Sequence, residues 1–100
     1  MAKKTPTKGA GRTRVTFELP PAAGKDAASV HLCGDFNEWS KTATPLAQRK
    51  DGRYSTTLTL DSGRTYRYRF LVDGIRWEND WSADAYVANE FGEDDSVLEL

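Results

Sequence analysis

Hydrophobic and polar residues alternate with a period of two along most of this chain. Val15, Phe17 and Leu19 fall on one side and Thr16 and Glu18 on the other, the pattern of a half-buried strand. Pro20-Pro21 ends it, and the small residues through Ala28 read as a loop. Val30 and Leu32 resume the alternation within Ser29-Val30-His31-Leu32-Cys33, and Pro45-Leu46 predicts the start of a short edge strand. Lys50-Asp51-Gly52 predicts a hairpin turn, because Asp-Gly suits positive backbone angles. Tyr54, Thr56, Leu58 and Leu60 then form a strand, and Asp61-Ser62-Gly63 turns the chain again. The sharpest alternation runs over 64–72, with Tyr66, Tyr68, Phe70 and Val72 on one face and Thr65, Arg67, Arg69 and Leu71 on the other. The aromatic face demands a core, so the arginine face is expected to look outward. Asp73-Gly74 leads into a short strand with Ile75 and Trp77, and strands at Tyr86-Val87 and over 96–100 follow. No segment keeps a helical period. About seven short strands punctuated by turn signals predict an all-β fold, an antiparallel β-sandwich.

One stretch departs from the alternation. Gly34-Asp35-Phe36-Asn37-Glu38-Trp39 follows a strand and reads as a rigid corner that carries one large ring. Gly34 is expected to use backbone angles denied to other residues, and Asp35 and Asn37 to hydrogen-bond their own turn.

Composition bounds the picture. At 100 residues the chain holds one domain, and its eleven aromatics can supply a small, dense core. Charge is segregated: Lys3, Lys4, Lys8, Arg12 and Arg14 open the chain, while acids alone occupy 78–100. Residues 1–13 have almost nothing to bury and read as a disordered basic tail, ahead of a β-domain over 14–100. Five positive charges give such a tail at most a weak, salt-sensitive affinity for nucleic acid, which the acidic last third disfavours. Cys33 is the one cysteine, so no internal disulfide forms. No apolar run approaches membrane-spanning length and no signal-peptide core follows Met1. A cytoplasmic protein without a membrane partner is expected.

Candidate chemistry is sparse. His31 and Cys33 share a strand face, but two ligands make no zinc site, and nothing beside them suggests an orienting third group for nucleophilic catalysis. The carboxylates over 78–99 lack an obvious cleft for glycoside hydrolysis, and Glu93, Asp94 and Asp95 lack calcium-loop spacing. No catalytic residue, metal or cofactor is expected. Aromatic rings in places a core does not require are left: Trp39 in the corner, Trp77 beyond a turn, and Trp81 in an acidic loop. They either cover the ends of the sandwich or, with Arg69 and nearby amides and carboxylates, form a sugar site. In such a site ring faces cover the C–H face of a pyranose and polar groups take its hydroxyls.

Three motifs in order sharpen this reading. Gly34-Asp35-Phe36-Asn37-Glu38-Trp39, Tyr68-Arg69-Phe70-Leu71-Val72-Asp73-Gly74 and Asn89-Glu90-Phe91-Gly92 together resemble carbohydrate-binding module family 48. That family includes the glycogen-binding domain of the AMP-activated protein kinase β subunit and the N-terminal early-set domains of isoamylases and branching enzymes. The resemblance covers residues 14–100 and implies an immunoglobulin-like sandwich that binds α-1,4-linked glucan, as a polymer or as maltooligosaccharide, without catalysis. It implies that Trp39 and Trp77 are the stacking rings and that Arg69 stands for a hydrogen-bonding lysine. Phe91 stands for a leucine that reaches into the glucan. Glu93 and Asp95 fall where the kinase domain has threonine and asparagine, and Trp81 falls where proline is common. The alternative is an early-set module that docks onto a glucan-metabolising enzyme or a kinase and binds no sugar itself.

Overall fold

Period-two alternation makes each strand apolar on one face, and two such faces bury each other. The computed structural model describes residues 2–6 and 11–100. In chain order the strands are β1 (Ala2–Pro6), β2 (Arg12–Leu19), β3 (Val30–Gly34), β4 (Ala47–Gln48) and β5 (Tyr54–Asp61). β6 (Thr65–Val72), β7 (Arg76–Glu78), β8 (Ala85–Ala88) and β9 (Asp94–Glu99) complete the set. One sheet has the order β1-β2-β5-β4 and the other β3-β6-β9-β8, with β7 also paired to β6. Every pairing is antiparallel.

The core lies between the sheets. Val15, Phe17 and Leu19 of β2 meet Tyr66, Tyr68, Phe70 and Val72 of β6, and all seven are buried. The Phe17 and Tyr68 rings meet edge to face, 5.1 Å apart at 70°, and Phe70 stands at 89° to Tyr68. The Tyr68 hydroxyl donates to Asp80 Oδ2 at 2.6 Å. Burial, and then that bond, push the Tyr68 phenol well above its ordinary range.

Two boundaries differ most from the sequence reading, and the closing strand also starts earlier, at Asp94 rather than 96. The segment after Thr44 serves both sheets: Leu46 N–H donates to Val30 O at 2.9 Å, and only Ala47–Gln48 pairs with β5. Pro45, which has no N–H, makes a single bridge to His31, so the edge strand starts two residues later than Pro45-Leu46 suggests. The second difference is the N-terminus. Part of the expected tail is strand β1, in register from Ala2 against Phe17 to Pro6 against Thr13. Pairing satisfies the edge of β2, and Ala2 packs on the core, Lys3 and Thr5 face solvent, and Lys4, in register with Val15, reaches toward the second sheet. Met1 and residues 7–10, Lys8 included, lie outside the described residues.

Asp84 ties β1 to the second sheet, its Oδ2 accepting from the Lys4 ammonium and, at 2.8 Å, from Glu99 N–H. Burial pushes this carboxyl up, but the Glu99 N–H and Lys4 outweigh it, and the net effect is downward. A depressed folded value stabilises the protein above the unfolded carboxyl's pKa and is lost as pH falls through the folded one. Asp84→Asn is therefore expected to lower neutral-pH stability by about 1 kcal/mol, or roughly 4–8 °C in Tm. The gap between variant and wild type should close below about pH 4, which thermal melts across pH will measure.

Candidate functional site

The corner after β3 works differently from its sequence reading. Gly34 has φ −175°, extended backbone open to any residue, so conformational freedom is not why a glycine stands there. Space is the reason: a Cβ at this position would lie 2.6 Å from the Arg67 carbonyl oxygen and 2.9 Å from Tyr68 Cβ. That close approach seats the following 3-10 turn, Asp35–Asn37, directly on β6. The left-handed residues are instead Glu38 and Trp39, at φ 56° and 58°, a cost met by the bonds around them. Trp39 N–H donates to Gly34 O at 2.9 Å, and Asn37 Oδ1 accepts from Gly34 N–H at 3.1 Å. The Asn37 amide then donates to Leu32 O at 2.9 Å and to Thr44 Oγ1 at 3.0 Å.

Asp35 aims the ring. Its Oδ2 accepts from Arg67 N–H on β6 at 2.8 Å, and its Oδ1 accepts from the Trp39 indole Nε1–H at 3.0 Å. Asp35→Ala should release the indole, so that Trp39 Nε1–H exchanges about 10-fold faster while Trp77 keeps its rate. Heteronuclear NMR on the indole resonances reads this directly.

The register of β7 sets the second ring. Trp77 pairs with Leu71, which places it over the outer face of the second sheet. Its ring meets that of Trp39 edge-on, with centroids 6.4 Å apart and planes at 64°. The Arg69 guanidinium lies 5.4 Å from the centroid of the Trp77 ring, within cation–π range. Arg69 does belong to the face opposite the core, yet it is only 8% exposed, against the expectation of an outward-looking arginine. Trp77 covers it, and Glu93 Oε1 lies 3.3 Å from Nη1. Its Nε is buried without a partner among the described residues. Cys33 stands opposite Arg69 in register, fully buried, and burial pushes its thiol up.

The third wall is the turn from β8 to β9, organised by one side chain. Asn89 Oδ1 accepts from the N–H groups of Phe91 and Glu93 at 2.9 and 3.1 Å, and Asn89 Nδ2 donates to Asp95 Oδ1 at 3.1 Å. With Gly92 at φ 79°, this tight turn pushes Phe91 into solvent, 79% exposed. Asp95 lies at the floor, 5% exposed and 4.0 Å from Arg67 Nη1.

Trp39, Arg69, Trp77, Phe91, Glu93 and Asp95 line one open concavity of about 780 Å³, within the usual range for small-molecule sites. Asp35, Arg67, Asn89 and Glu90 complete its lining, and none of these four stands out as a site residue in the sequence. Asp35 and Asn89 do carry a signal there, since both are turn-forming residues inside the family-like motifs. Trp81 lies elsewhere, on a separate groove. Two fixed indoles, a phenyl ring, a guanidinium and several carboxylates can cover flat apolar faces while exchanging hydrogen bonds with hydroxyls.

Residues 13–99 match the family model described as the glycogen recognition site of AMP-activated protein kinase. The chain is also similar to the 1,4-alpha-glucan branching enzyme GlgB of Aquifex aeolicus (strain VF5), 37% identical over 54 residues. That alignment takes in 53% of this chain and 9% of the enzyme, so the chain spans a small part of that relative's length. By a match that runs from β2 to the end of β9, this chain belongs to the carbohydrate-binding module family of the AMP-activated protein kinase glycogen recognition site.

Proposed function

We propose that this chain binds α-1,4-linked glucan, glycogen- or starch-like, in the concavity between Trp39, Trp77 and Phe91, and catalyses nothing itself. The observation that carries the reading is the pair of indoles set at 64° to each other. An α-1,4 chain curves from one glucosyl unit to the next, so consecutive units present faces at an angle. A bent pair of rings suits that curve, whereas the flat ribbon of a β-1,4 glucan calls for coplanar rings. Beside the indoles, Glu93 is an exposed acceptor for sugar hydroxyls, while the Arg69 guanidinium backs Trp77 with its Nε buried. Asp95, nearly buried and already accepting from Asn89, braces the floor more than it meets the ligand.

Two indoles that each cover about 50–100 Å² of sugar contribute roughly 2–5 kcal/mol before ordering costs. Dissociation constants for short oligosaccharides then fall near the millimolar to high-micromolar range, about 4–6 kcal/mol. Such a module suits polymers, where neighbouring chains raise the effective concentration. The likeness to part of a branching enzyme favours a role as the glucan anchor of a glucan-metabolising enzyme. Affinity electrophoresis tests the substrate class: glycogen and amylopectin in the gel should retard the protein, and a soluble β-1,4 glucan should not. Equal mobility in all gels would overturn the reading.

A further inference from the structure

The third tryptophan is the one the proposed site leaves unused, and it is the most exposed of the three. Trp81 is 57% exposed, whereas Trp39 and Trp77 are half-buried. Isolated exposed aromatics are ordinary on protein surfaces. This one is held in place: its indole Nε1–H donates to Glu78 Oε1 at 2.9 Å, and Glu78 Oε2 accepts from Arg76 Nη1 at 2.7 Å. Arg76 Nη2 in turn donates to Ala23 O at 2.9 Å. A ring that served only to cover the core would be buried by it, and a ring of no use would not need this chain of braces.

The braced ring forms one wall of a second groove, about 290 Å³ in volume, with Pro20, Glu18, Arg53, Asp80 and Ser82 as its other lining. It shares no residue with the first concavity. The groove thus offers a flat apolar face beside groups that can serve hydroxyls. Arg53 is half-exposed and uses Nη1 on Glu18, which leaves Nη2 without a partner among the described residues. The Ser82 hydroxyl is a further donor or acceptor.

We infer that the Trp81 groove is a second glucan-binding site, one that takes one or two glucosyl units by stacking on the indole. The inference rests on the α-glucan reading of the first site. Its smaller volume and single indole make it the weaker of the two, and its role is avidity on a polymer. A chain held at the first site presents further units at millimolar effective concentration, so a millimolar second site strengthens retention about three- to ten-fold.

The test is a titration of the full chain followed through its indole Nε1–H resonances, one for each tryptophan, with maltotriose raised to about 50 mM to reach millimolar sites. The Trp81 resonance should shift and saturate, and it should do so again in Trp39→Ala with the same midpoint. Trp81→Ala should leave the Trp39 titration unchanged and weaken retention on glycogen about three- to ten-fold. Shifts at Trp39 and Trp77 with none at Trp81 would overturn the second site and leave the first standing. Shifts at Trp81 alone would keep this groove and overturn the first site as the glucan contact. Silence at all three would overturn both.

Discussion

Trp39→Ala and Trp77→Ala are each expected to abolish measurable α-glucan binding in the concavity they line while leaving the fold intact and the Trp81 groove unchanged. Each ring is half-buried and meets the other edge-on across the concavity, so neither belongs to the packed core between the sheets. Removing one forfeits about 1.2–2.5 kcal/mol of sugar contact, roughly 8- to 70-fold in affinity. Starting from near-millimolar binding, that loss takes this concavity's dissociation constant for short oligosaccharides to about 8–70 mM, beyond detection by calorimetry. The two variants should differ in one respect. Trp77 also covers Arg69, so its loss exposes a buried guanidinium and should lower stability by about 1 kcal/mol. Trp39→Ala should melt within about 2 °C of wild type. Calorimetric titration with maltoheptaose, paired with thermal melts, checks both statements.

The largest effect on stability is expected at a residue that touches no ligand. Gly34→Ala would drive a methyl to 2.6 Å from the Arg67 carbonyl oxygen and 2.7 Å from Phe36 Cζ. The phenyl ring can move, but the carbonyl belongs to the central strand of its sheet and cannot. Overpacking of this kind costs about 3 kcal/mol, or roughly 12–24 °C in Tm for a domain of this size. Because the same contact seats Asp35 on Arg67 N–H, the Trp39 ring should also lose its fixed direction. Gly74→Ala is the matched control. A Cβ there meets nothing within 4 Å, and only its left-handed φ of 72° is unfavourable, so the cost is about 1–2 kcal/mol. A Gly34→Ala protein as stable as the Gly74→Ala control would refute steric exclusion as the reason for this glycine.

Much of the fold is legible in the sequence because period-two alternation records burial directly. Val15, Phe17 and Leu19 on β2 and Tyr66 to Val72 on β6 mark both inner faces by their spacing alone. Short-range turn chemistry is equally open, since Asp73 and Gly74 both adopt the left-handed backbone their pairing suggests. What stays hidden depends on contacts between distant segments. Gly34 looks like a turn glycine in sequence, and only the approach of β6 shows that it is a packing glycine. Arg69 looks solvent-facing by alternation, and only the crossing of Trp77 and Glu93 buries it. Strand β1 has no apolar pattern, because backbone pairing along the edge of β2 defines it.

The site shows the same division. Its rings are legible because an indole outside the alternation has no evident place in the core. The residues that aim those rings are not, since Asp35 reaches Trp39 four positions on and Arg67 thirty-two positions on through single hydrogen bonds. Asp35 and Asn89 lie inside the family-like motifs, and the folded chain gives each a mechanical role. Asp35 fixes an indole, and Asn89 folds the turn that presents Phe91.

Whether the concavity between Trp39, Trp77 and Phe91 holds a curved α-glucan is tested most directly by tryptophan fluorescence, titrated with linear maltooligosaccharides of increasing length. Affinity should rise with each added glucosyl unit until the chain spans both indoles and the Phe91 turn, and then level off. A response that is flat at every length, with no retention on an α-glucan resin, would contradict it.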